Sequence, residues 1–145
     1  MPKLSVLEGY IDTALSAITG IKSVTTDINS FESTETYPVL YYSVNRASSK
    51  YIKYFTIAGT SEDKEGIAEL KVYGSINPLI KKNIKKDTYA LISDVEKAIE
   101  SSVNLQSNIV NSQVRTEEND MDINDSFGNF EMTFEIVYLY NHLSP

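Results

Sequence analysis

Between Asn129 and Tyr140 the chain alternates, with Phe130, Met132, Phe134, Ile136, Tyr138 and Tyr140 at even positions and Asn129, Glu131, Thr133 and Glu135 at odd ones. Successive side chains of an extended chain point to opposite faces, so this period of two predicts a long strand with one buried face. Such a strand needs neighbours for its backbone and a cover for its apolar side. The upstream segment NIVNSQVRTEE, joined through the acidic loop NDMDINDSFGN, is the expected antiparallel partner. Consecutive strands with a short connection usually pair.

The cover is written elsewhere in the chain. Leu4, Leu7, Ile11, Leu15 and Ile18 recur at intervals of three and four and are followed by Gly20, which predicts an amphipathic first helix. Leu91, Ile92, Val95, Ala98 and Ile99 repeat the period in a second long helix, expected to be capped at Asp87 or Thr88 and to run through about Ser101. Asn77-Pro78 before LIKKNIKK is expected to cap a single helical turn. Pro38 introduces VLYYSVN, and KYIKYFTIA follows Ser48-Ser49; the two read as paired strands with a turn between them. The polar run from Gly59 to Gly66 reads as the exposed tip of a hairpin leading into IAELKVYGSI. Residues 21–37 read as a short strand followed by an irregular loop. Together these elements predict an α+β fold, a mainly antiparallel sheet with two helices packed on one face, as a single domain over residues 1–145.

Composition agrees with one folded domain: 145 residues, 41% hydrophobic and 23% charged, are enough to bury a core without staples. The chain has no cysteine, which excludes disulfides, thiolate zinc sites, iron–sulfur ligation and a cysteine nucleophile. Its formal charge of −7 disfavours broad electrostatic binding to nucleic acid or to an anionic membrane, and no membrane partner is expected. No stretch approaches the ~20 apolar residues that span a bilayer, and MPKLSVLEGY lacks the apolar core of a secretory signal. The chain is therefore expected to be made and kept in a cytoplasm.

Motifs for catalysis are missing. There is no GxSxG, GxxxxGK[ST], GxGxxG or HExxH, and the single histidine, His142, lies just past the last strand, where a surface role is expected. The chain reads as a non-enzyme with no catalytic residue and no cofactor. Asp120, Asp122 and Asn124 with Glu131 have the spacing of a calcium-binding EF-hand loop, but Asp125 occupies the position that requires glycine, and both flanks read as strands. The expectation is an acidic hairpin loop and no dedicated metal site.

Two features point toward association. Lys81, Lys82, Lys85 and Lys86 form a basic cluster, whereas the stretch with Glu117, Glu118, Asp120, Asp122 and Asp125 contains no Lys or Arg. These nine residues are the candidate halves of a subunit interface, since complementary charge sets register and orientation; the bland alternative is a solvated connector. The chain also has ten tyrosines, dense in its strands, so that neighbours such as Tyr41 and Tyr42 must face opposite sides of the sheet. Two helices cover one face. The other either meets a partner or lies under residues 25–37.

The helix ending at Gly20-Ile21 with Val24 soon after, YPVLYYSV opened by Pro38, the pair of long strands, the helix YALISDVEKAIES and the final FEIVYLY are, taken together, similar to the tail terminator (tail-completion) proteins of long-tailed bacteriophages. The insertion NPLIKKNIKK departs from that pattern. The resemblance implies a structural virion subunit forming a ring, typically a hexamer, at the head-proximal end of the tail tube, where it ends tube polymerisation and presents the head-docking surface. It implies assembly in the host cytoplasm, with further copies of the chain, the tail tube protein and a neck or head-completion protein as partners, and DNA only in passage through the lumen. The alternatives are a neck or head-completion subunit, or a small calcium- or ligand-binding α+β module.

Overall fold

In the computed structural model, which describes residues 4–33, 36–51, 64–76, 84–107, 111–119 and 128–141, the elements are α1 (Leu4–Ser16), β1 (Ser23–Thr25), α2 (Ile28–Ser33), β2 (Val39–Tyr51), β3 (Lys64–Ser75), α3 (Ile84–Ser101), α4 (Val103–Ser107), β4 (Asn111–Asn119) and β5 (Asn129–Tyr140). The strands form one five-stranded sheet in the order β1-β2-β3-β5-β4. Only the short β1 runs parallel to its neighbour; the other three pairings are antiparallel. The fold class is α+β.

The alternation of β5 sets the core. Its six even positions are all buried, and they continue across the sheet in rows such as Tyr42–Val72–Met132 and Val44–Leu70–Phe134. Against this face α1 buries Leu7, Ile11 and Leu15, α3 buries Leu91, Ile92, Val95 and Ile99, and α4 adds Leu105. Burying an aliphatic side chain of this size is worth roughly 1.5–3 kcal/mol, so the apolar stripe drives docking more than the intrinsic helix preference does.

Two glycines of β3 let aromatic rings lie across it. A Cβ on Gly74 would overlap ring carbons of Phe130, and one on Gly66 would sit 2.9 Å from the Tyr138 ring. Gly20 follows α1 with φ +86°, the left-handed conformation that favours glycine after a helix. Asp27 caps α2: its carboxylate accepts from the Asn29 amide at 3.0 Å and from the Ser30 hydroxyl at 3.0 Å.

Several expectations need correction. Ser48-Ser49 is not a turn: β2 runs through it to Tyr51, with a bulge between Arg46 and Ser48, and pairs with β3 over its whole length. Serine tolerates an exposed strand as well as a turn, and Ser48, Ser49 and Lys50 are all exposed. The proposed hairpin tip ends earlier than expected, because Lys64, Glu65 and Gly66 already belong to β3; residues 52–63 lie outside the described residues. Helix α3 starts at Ile84, so neither Asp87 nor Thr88 caps it. Thr88 is fully buried, one turn before Leu91 and Ile92 on the core-facing stripe. The expected turn at Asn77-Pro78 lies outside the described residues. The segment read as an irregular loop after β1 contains α2, which Asp27 nucleates.

Candidate subunit interface

Both long helices pack on one face of the sheet. On the other face, the odd positions of β5 continue across β3 and β2 in the rows Tyr41–Tyr73–Glu131, Ser43–Lys71–Thr133 and Asn45–Glu69–Glu135. Phe31 of α2 lies over one end of it, with its ring centroid 6.0 Å from that of Tyr41, and Tyr41 in turn stands 5.5 Å from Tyr73. Residues 25–37 therefore meet this face at Tyr41, as the covering-loop alternative expects, while Tyr41 and Tyr73 remain partly exposed. Burial, and then the charge of the hydrogen-bonded Glu131, push the Tyr73 phenol above its ordinary value.

The charges on this face are lopsided. Glu65, Glu69, Glu131 and Glu135 stand among Lys50 and Lys71, with Lys50 Nζ 3.4 Å from Glu65 and Lys71 Nζ 3.6 Å from Glu69. Exposed pairs of this kind contribute little stability. Their effect is a mildly acidic, amphipathic plane of tyrosine and glutamate.

The helical side holds two polar contacts of its own. The Tyr42 hydroxyl donates to Asp12 Oδ2 at 2.8 Å, and burial first, then this hydrogen bond, push the Tyr42 phenol far above its usual value. Arg46 donates from Nε to the Tyr138 hydroxyl at 2.7 Å and lies 4.0 Å over the Tyr140 ring, a cation–π arrangement. A cavity of about 410 Å³ between α1 and the α3–α4 corner is lined by Tyr10, Ala14, Ile18 and Ala98, with Asp94 and Lys97 exposed beside it. Among the described residues no group of three or more His, Asp or Glu is placed to hold a metal ion, and no helix is long and apolar enough to cross a membrane.

The candidate interface residues fall on several elements. Lys85 and Lys86 open α3, and Lys86 is exposed. Glu117 and Glu118 stand in strand β4, opposite Met132 and Glu131. Lys81, Lys82, Asp120, Asp122 and Asp125 lie outside the described residues, as do His142 and Asn124. Glu131, the last residue of the EF-hand-like spacing, is a strand residue tied to Tyr73. The register nevertheless relates the two charged stretches: Ser75 pairs with Asn129, and Asn119 with Phe130, so β3 and β4 end at the same end of the sheet. The basic stretch follows the first and the acidic stretch the second.

Sequence reasoning missed Arg46, Tyr138 and Tyr140 as a group, and Asp12 with Tyr42. Their partners are 92 and 30 residues apart respectively, and only strand register and helix placement bring them together. No protein-family model matches the chain, and no curated protein matches it.

Proposed function

We propose that this chain is a structural subunit of a phage tail or tail-like particle, assembling into a ring at the head-proximal end of the tail tube, ending tube growth and offering the head-docking surface. The observation that carries the reading is the one-sided architecture. The long helices cover one face of the sheet, and the opposite face keeps partly exposed Tyr41 and Tyr73, with Glu131 beside Tyr73 and Glu69, Glu135 and Glu65 further along it. Tyrosine is enriched at interfaces because its ring buries apolar area while its hydroxyl stays satisfied. The formal charge of −7 suits a ring through which DNA moves without sticking, since an acidic lumen repels passing phosphates.

A closed ring needs a heterologous contact between two different patches. The basic stretch of Lys81, Lys82, Lys85 and Lys86 follows β3 in the chain, the acidic stretch of Glu117, Glu118, Asp120, Asp122 and Asp125 begins in β4 and runs beyond it, and the two supply complementary halves. The test is assembly. Light scattering of the purified chain, alone and with tail tubes, should give a species several times 16.3 kDa, and electron microscopy should place it at one tube end. A protein that stays monomeric at high concentration and does not limit tube length would overturn the reading.

A further inference from the structure

The two margins of the sheet differ from its interior in a way that points to a specific partner. At one margin β1 occupies the place beside β2 only along Val39–Tyr41. From Tyr42 to Tyr51, among the described residues, no strand lies beside the outer edge of β2. At the other margin the outer edge of β4 is likewise without a strand beside it among the described residues. Free edges present a row of backbone donors and acceptors and are natural sites for adding another strand.

We infer that β4 of one copy of this chain adds to the outer edge of β2 of the next, in the slot that β1 leaves. The occupant is a second copy because the two edges complement each other in direction, length and charge. Strands β2 and β5 run one way and β3 and β4 the other. Placing successive copies side by side around an axis along the strands keeps those directions, so the new pairing is antiparallel and continues the sheet. The free stretch of β2 and the nine residues of β4 have nearly the same length. The β2 stretch carries Arg46 and Lys50 and no acidic residue, whereas β4 carries Glu117 and Glu118 against one basic residue, Arg115.

Register follows from keeping the two faces continuous. Val44 and Arg46 share rows with Leu70 and Ala68 on the helix-covered face, and the backbone register pairs Glu117 and Asn119 with Met132 and Phe130, which lie on that face. Aligning these positions with the acidic end of β4 beside Arg46 sets Asn45 opposite Glu118 and Lys50 opposite Gln113. Each strand carries one irregularity, between Arg46 and Ser48 in β2 and between Val114 and Thr116 in β4. Because each strand contributes one extra residue at neighbouring steps, the two irregularities compensate and the faces stay matched beyond them. A concavity of about 500 Å³ lined by Ser5, Glu8, Asp12 and Tyr42 borders the start of the free stretch, leaving room beside the incoming strand.

This inference rests on the ring reading for its head-to-tail direction, and its test separates the two. The chain has no cysteine, so paired substitutions report contacts without background. Within one copy β2 and β4 are separated by β3 and β5, a gap of about 14 Å at the usual strand spacing. That is too far for a disulfide, which needs Cα atoms within about 7 Å. Two variants, Asn45→Cys with Glu118→Cys and Lys50→Cys with Gln113→Cys, are oxidised and run on non-reducing gels, with circular dichroism confirming the fold. Both should yield covalent multimers, roughly tenfold more than the off-register pair Asn45→Cys with Gln113→Cys, because disulfide geometry is strict. If light scattering shows an assembled protein but neither pair exceeds the off-register control, the edge pairing is wrong while the ring stands. If the protein remains monomeric and uncross-linked, both fall.

Discussion

At Gly74 the sheet has no room for a side chain, since the Phe130 ring occupies the space that a Cβ would need and Leu40 Cδ2 lies 3.1 Å away. Gly74→Ala is expected to destabilise the fold by about 2 kcal/mol, the usual scale of overpacking, read as a fall in the urea midpoint with an unchanged slope. Tyr42 makes a different prediction. Burial first, and then Asp12, raise its phenol well above the value of about 10 that it has in an unfolded chain. The folded state therefore holds a proton that the unfolded state releases. Stability is present in full below about pH 10 and falls as pH rises beyond it. Tyr73 and Tyr138 are raised as well, both by burial first, with Arg46 opposing the shift at Tyr138. Tyr42→Phe should thus flatten the alkaline loss of thermal stability without abolishing it. At neutral pH it should cost about 1 kcal/mol for the lost hydrogen bond.

At the scale of elements, α1 shows how much a helix owes to its ending. The chain leaves Ser16, closes with the Ile18 amide donating to the Leu15 carbonyl at 3.2 Å, and turns at Gly20. A Cβ on Gly20 would meet nothing within 4 Å, so Gly20→Ala tests the backbone alone. It should lower stability by about 1 kcal/mol, and restoring glycine there should recover the wild-type melting temperature. The strands behave differently. In β2 the pairing with β3 overrode a Ser-Ser signal that reads as a turn, because the register with β3 continues on both sides of the bulge. In α3 the helix extends to Ile84, one turn before the expected caps, and a polar Thr88 is carried into the buried stripe. Local propensity is a weak prior where packing supplies the free energy.

For the whole molecule the open question is association, and charge offers a direct test. If the basic stretch docks on a neighbour's acidic stretch, changing Lys81, Lys82, Lys85 and Lys86 to Glu should reduce the assembled fraction at low salt. The fold should be left intact, since exposed substitutions usually change stability little. The difference between variant and wild type should shrink as salt rises, because exposed charges are screened over about 8 Å at physiological ionic strength. Equal assembly of the two proteins at low salt would leave these lysines as a solvated connector. The outline of the fold was legible in the residues themselves: the alternation of β5 and the three-and-four spacing of α1 and α3 follow from periodicity, which belongs to short stretches of chain, and β4 follows from its short connection to β5. What the tertiary structure decided is everything that depends on residues far apart in the chain. The order β1-β2-β3-β5-β4 places the two outer strands at opposite margins, the register carries Arg46 to Tyr138 and Phe130 over Gly74, and α2 comes to rest against Tyr41. No local pattern encodes these contacts, because a strand's period fixes which residues share a face and leaves open which strand lies beside it.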